Sequence, residues 1–99
     1  MLPQDFRWRS VASRADQLPD AIYCGITEML RLSQRVDDEV WWVEVDRHLD
    51  EQHRRRRLCA SYEQGVIGSE LRAVRHQQRI RLEIEREVAR AADLKRRTW

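Results

Sequence analysis

The sequence contains no asparagine, three glycines, two prolines, two threonines and a single lysine in 99 residues. With so few residues that turn the chain cheaply, a turn-rich β protein is disfavoured, and the abundance of Arg, Glu, Leu, Gln and Ala favours helix. Cysteine is nearly as scarce. Cys24 and Cys59 are the only two and lie far apart, which excludes a disulfide framework and suits reduced thiols in a cytoplasmic protein. The start, Met1-Leu2-Pro3-Gln4-Asp5, has neither the basic nor the apolar region of a secretory leader. No apolar run approaches the ~18–20 residues of a membrane span.

Missing motifs narrow the chemistry further. There is no Gly-x-Ser-x-Gly turn, no Gly-Lys-Ser/Thr phosphate loop and no Gly-x-Gly-x-x-Gly fingerprint. His48 and His53 flank Glu51 in a way that superficially resembles a zinc peptidase helix, yet five residues of separation place them about 140° apart around a helix. A site built from Cys24, His48, Cys59 and His76 lacks any CxxC or HxxxH pairing. Cys59 follows four arginines, which would lower its pKa if exposed, but between Leu58 and Ala60 it is expected to be a small core residue. The expectation is a non-catalytic protein with no cofactor and no metal.

What is present is charge, unevenly spread. The net charge is +2. Residues 1–53 hold six arginines against eleven acids, whereas residues 54–99 hold thirteen basic residues against six acids. A basic half suits an anionic partner, either nucleic acid or an acidic protein surface, and the acidic half of a second copy would also satisfy it. Eighteen of the nineteen basic residues are arginine, which a GC-rich genome would also produce, so arginine content alone decides nothing.

The strongest periodic signal lies in residues 69–97, which have no Pro or Gly. At 100° per residue, Arg72, Arg75, Arg79, Arg86, Arg90 and Arg97 fall in one strip, opposite Ala73, Val74, Ile80, Ile84, Val88 and Ala91. Acid-first pairs at helical spacing, Glu83 with Arg86, Glu87 with Arg90 and Asp93 with Arg97, support one long amphipathic helix. Gly65-Val66-Ile67-Gly68 has the spacing with which KH modules clamp a nucleic-acid backbone. Its middle pair is apolar, so a cap and turn ahead of that helix is expected, with Ser69 and Glu70 opening it.

Upstream, Pro19 and the acids around it open one expected helix, near residues 19–35, and Asp37-Asp38-Glu39 a second, near residues 38–57. Alternation of Ile22, Cys24 and Ile26, and the β-prone run Val-Trp-Trp-Val-Glu-Val at 40–45, argue for strands instead. The absence of Gly or Asn from residues 33–39 tips the balance towards helix. Phe6-Arg7-Trp8-Arg9 alternates aromatic and basic residues, as a short strand or an extended arm would, with Trp8 expected to cap the core.

The resulting expectation is a single, mainly α domain over residues 1–99. It has an arm at 1–15 and a long helix at 69–97, and a dimer is one way to complete its core. An α+β fold, with a short antiparallel sheet packed on the last helix, is the alternative. Two functions fit. One is a regulatory module binding nucleic acid through Arg54, Arg55, Arg56, Arg57, Arg72, Arg75 and Arg79. The other is a protein-binding adaptor or inhibitor, of the kind mobile elements and phages encode, docking on an acidic surface. That second role rests on Trp41 and Trp42 together with the arginine strip, since adjacent aromatics point in different directions and one can be left outside as an anchor.

Overall fold

Residues 40–45 are where helix and strand compete most closely, and the strand wins. A computed structural model of the chain, which describes residues 1–12 and 16–97, places five strands in one antiparallel sheet. They are β1 Phe6–Arg9, β2 Ala21–Cys24, β3 Thr27–Gln34, β4 Trp41–Val45 and β5 Arg55–Cys59. The strands lie side by side in chain order, with β1 and β5 at the edges. Two helices follow, α1 Tyr62–Arg75 and α2 Gln77–Arg97. The protein is therefore α+β. The mainly α expectation is overturned, including its helices near residues 19–35 and 38–57, and the alternative of a sheet packed on C-terminal helix fits.

The turns that seemed to be missing are made by other means. β2 and β3 are joined by Gly25-Ile26, with Gly25 at φ +62 in the first position of a two-residue hairpin loop, where a positive φ is required. The β3–β4 connection is longer and needs no Asn-Gly pair. Glu39 supplies the left-handed residue at φ +60, and the Asp38 carboxylate accepts the Val40 amide while pairing with Arg35. Once those hairpins close, the β-branched and aromatic residues of β4 pair with β3 on one side and β5 on the other.

The expected long helix is two helices. α1 starts earlier than residue 69, at Ser61, whose hydroxyl accepts the Gln64 amide as an N-cap. It ends at His76, and α2 begins at the next residue. Gly65 and Gly68 therefore lie within α1 rather than in a turn. The pairs Glu87–Arg90 and Asp93–Arg97 are formed as their spacing predicts, but Glu83 pairs back with Arg79 instead of Arg86.

Strand alternation sorts the sheet into two faces. Phe6, Ile22, Leu30, Leu32, Val43 and Val45 point to the helices and form the core with Ala73 of α1 and Ile80 of α2. Trp8 packs at the margin, and its indole N–H donates to Glu70 on α1 at 2.7 Å. α1 lies close because Gly65 has no side chain. A Cβ there would stand 2.6 Å from a Leu32 methyl, whereas one on Gly68 would meet nothing within 4 Å. Gly68→Ala should therefore stabilise the fold by about 0.5–1 kcal/mol through helix propensity. Gly65→Ala should lose about 1 kcal/mol, because overpacking costs ~1–3 kcal/mol and outweighs the same gain. Urea unfolding of the two variants checks the opposite signs.

Candidate functional site

No helix of the described residues covers the second face of the sheet. The strand register places Arg7 opposite Tyr23, Arg31 opposite Glu44, Trp42 opposite Leu58 and Glu44 opposite Arg56, all on this side. Arg9 lies 5.0 Å from the centre of the Tyr23 ring, and Arg56 lies 4.7 Å from that of Trp42. Each aromatic thus sits under a guanidinium, in the geometry of a cation–π pair.

Two carboxylates share the face and are held within it. Glu28 pairs with Arg31 and Arg47, and Glu44 with Arg47 and Arg56. The Glu44 side chain is only 10% exposed. Burial works to raise its pKa, but hydrogen bonds and charge from Arg56 and Arg47 outweigh that and leave it below the usual carboxylate range. Against these two acids stand Arg7, Arg9, Arg31, Arg47 and Arg56, so the face is net basic. Arg7 and Arg9 are exposed and make no ion pair among the described residues.

The arginines singled out in the sequence are divided among several places. Arg54 turns back on its own loop, donating to the carbonyls of Leu49 and Arg47 at 3.2 and 3.3 Å. Arg55, Arg56 and Arg57 lie along the edge strand β5, exposed, with Arg56 on the helix-free face and Arg55 and Arg57 on the other. Arg72 and Arg79 both pair with Asp46, and Arg79 also with Glu83. Arg75 is exposed and makes no ion pair among the described residues. The two tryptophans separate: Trp41 packs against the core, its ring 5.1 Å from that of Tyr62, while Trp42 lies on the helix-free face. Arg7, Arg9 and Tyr23 were not marked as functional by the sequence. The alternation in residues 6–9 was the available signal, because it places both arginines on one side once that segment is a strand.

Among the described residues, Asp46, His48 and Glu83 form the one group of side chains that could together ligate a metal, their ligand atoms within 4.8 Å of one another. Of the set Cys24, His48, Cys59 and His76, this cluster contains His48 alone. The His48 side chain is 0% exposed and its Nε2 lies 2.8 Å from Glu83. The donor types would suit a divalent metal, but Arg72 and Arg79 already neutralise Asp46, and Arg79 also bonds Glu83. A dication there would have to displace guanidiniums, so the arrangement fits an ion-pair network tying the β4–β5 loop to both helices. The thiols are unpaired. Burial, reinforced by Asp5, pushes Cys24 up to about 11, and burial raises Cys59 despite the arginines beside it in sequence. Both are held as thiols at neutral pH.

One contact gives a pH signature. Arg81 donates two hydrogen bonds of 2.7 Å to Asp5, which lower that carboxyl from 3.8 to about 2. Because the folded value is depressed, the pair stabilises the fold above about pH 4 and the contribution vanishes as pH falls through about 2. Solvent screening keeps it small. Arg81→Gln should return the Asp5 titration, followed by NMR, to the ordinary ~3.9. An unchanged titration would mean the contact does not form in solution.

No helix among the described residues is long and apolar enough to cross a membrane. Compared with known proteins, the chain matches no family model, no curated protein and no solved structure.

Proposed function

We propose that the protein is a small non-catalytic binding module of the cytoplasm that holds single-stranded nucleic acid on the helix-free face of its sheet. The observation that carries this reading is the register, which gathers Arg7, Arg9, Tyr23, Trp42 and Arg56 from four strands onto one open surface. Guanidiniums there can neutralise phosphates, and two aromatic rings supply stacking planes that tolerate any base. From β1 to β5 the surface spans about 19 Å, at ~4.8 Å per strand, which suits a bound segment on the order of four nucleotides. Among the described residues no helix stands on this face to enter a duplex groove, which favours a single strand.

This reading moves weight away from Arg54, Arg72 and Arg79, whose guanidiniums are engaged within the chain. The rival function, an adaptor or inhibitor docking through Trp41, Trp42 and the helical arginines, has less support, since Trp41 is turned to the core. Self-association through α2 is compatible with either. Val88 continues the stripe of Ile80 and Ile84 yet is 62% exposed.

Fluorescence anisotropy with short labelled DNA and RNA, single- and double-stranded, tests the proposal. The expected result is micromolar binding of single strands at ~50 mM salt that weakens more than about tenfold by ~200 mM, as counterion release requires. Trp42→Ala should cost about 1–3 kcal/mol, one stacked base, while the fold persists. Millimolar affinity for every nucleic acid at ~50 mM salt would sink the idea.

A further inference from the structure

Beside the edge strand, on the opposite face of the sheet from the one just described, α1 and β5 enclose a groove of about 590 Å³. Its floor is Val43, Val45 and Cys59, and its helical wall is kept low by Gly65, Gly68 and Ser69. The space over Gly68 is open. An exposed leucine, Leu71 of α1 at 59%, stands on its helical side. Arg57, Arg72, Arg75 and His76 line it as well, and no acidic residue does. Arg57 and Arg75 make no ion pair among the described residues, and two buried atoms on the lining, Ser69 Oγ and the Nε of Arg72, have no hydrogen-bond partner there.

β5 pairs only with β4, so the backbone donors and acceptors on its outer side are unused among the described residues. An unpaired edge next to a helix-walled apolar groove is the arrangement into which an extended peptide adds as a further strand, its main chain bonding the edge and alternate side chains filling the groove. We propose that the β5–α1 groove binds an extended acidic segment of another protein as a sixth strand of the sheet.

Charge selects that occupant. Edge strands are commonly protected from unwanted pairing by like charge, and Arg55, Arg56 and Arg57 would repel a second copy of this edge. The same arginines attract a strand bearing carboxylates, so one feature excludes self-pairing and selects the partner. Arg57 and Arg75 meet the incoming charge. Burial and the arginines around it lower the pKa of His76, so the positive charge of the lining comes from the arginines. Arg7, Arg9 and Trp42 lie on the other side of the sheet, so Arg56 alone belongs both to the nucleic-acid face and to this edge.

The probe is a labelled short peptide of repeating Val-Val-Glu-Glu, which puts both residue types on each face of a strand, compared with its Val-Val-Lys-Lys counterpart and with labelled single-stranded DNA. Expected are micromolar binding of the acidic peptide, at least about tenfold weaker binding of the basic one, since like charges across an interface are strongly unfavourable, and slower hydrogen exchange at β5 amides on binding. Gly68→Phe fills the groove at a position where nothing stands in the way, so the fold should survive while peptide affinity falls at least about tenfold. R57E/R75E, which disturbs no ion pair of the described residues, should do the same. R7E/R9E should leave peptide binding unchanged. Equal binding of the two peptides, or acidic-peptide binding that survives Gly68→Phe, would overturn the proposal. So would loss of DNA rather than peptide binding in Gly68→Phe, which would make the groove a nucleic-acid site.

Discussion

Replacing Asp46 by alanine should lower the stability of the fold by about 3–4 kcal/mol. Two independent losses combine. Asp46 is buried and pairs with Arg72 at 3.3 Å and Arg79 at 3.6 Å, and the Arg72 side chain is itself mostly enclosed. Removing one partner of a buried pair costs ~3–5 kcal/mol in full burial because the remaining charge is stranded, and partial exposure of both arginines reduces that to about 2–3 kcal/mol. Asp46 also holds φ +60, a conformation that aspartate tolerates better than alanine, at a further cost of ~1 kcal/mol. For a domain of this size, a loss of that magnitude lowers Tm by roughly 12–32 °C. Asp46→Asn separates the two, since it keeps the backbone preference and removes the charge, and it should fall about 1 kcal/mol short of the alanine variant. Asp46→Ala/Arg72→Met should recover part of the loss, because the stranded cation is gone. Denaturant unfolding reads all three. A loss below about 1 kcal/mol in Asp46→Ala would mean that Arg72 and Arg79 are solvated rather than internal, and would return them to the pool of arginines free to meet a partner.

That experiment bears on how the helices and sheet could be read from the residues. In the C-terminal third, the absence of breakers and the spacing of Glu87 with Arg90 and Asp93 with Arg97 mark helix correctly, because those are local interactions that the chain makes wherever it lies. The break at His76 is not local in origin. No Gly or Pro marks it, and it arises where α1 and α2 each turn an apolar residue, Ala73 and Ile80, into the same core. The strands were harder for a related reason. β5 reads Arg-Arg-Arg-Leu-Cys, without a β-branched residue or an apolar alternation, and becomes a strand because β4 presents an edge to pair with and Glu44 a carboxylate for Arg56. Tertiary pairing overrides propensity there. β4 and the Gly25 turn did carry visible signals, and they lost only to the lack of Gly or Asn between residues 33 and 39, where Glu39 makes the turn with help from Asp38. The candidate surface was less legible still. Arg7, Tyr23, Trp42 and Arg56 are spread over four strands, and nothing in their spacing shows that they share a face until the register is known.

The second large effect is expected on that face. Changing Arg7 and Arg9 together to glutamate should weaken single-stranded nucleic-acid binding about 100-fold at ~50 mM salt, because two attractive contacts are lost and two repulsive ones introduced. Neither arginine makes an ion pair among the described residues, and both side chains are exposed, so stability should change by no more than about 0.5 kcal/mol. The diagnostic is the salt dependence. Each phosphate contact on a single strand contributes ~0.7 to the slope of log K against log salt, so Arg7→Ala/Arg9→Ala, which removes contacts without adding repulsion, should flatten that slope by about 1.4. Net charge alone would also weaken binding, and a matched control separates the two. Arg86 and Arg96 on α2 are exposed, and R86E/R96E alters the total charge of the protein by the same amount on another element. If binding is local to the sheet, this control should retain affinity within a few-fold and keep its full salt slope. Equal losses in the two double variants would mean that the protein attracts nucleic acid only through its overall charge. The gathering of arginines and aromatic rings on the open sheet face would then be a solvated surface held together by its own cation–π and ion pairs.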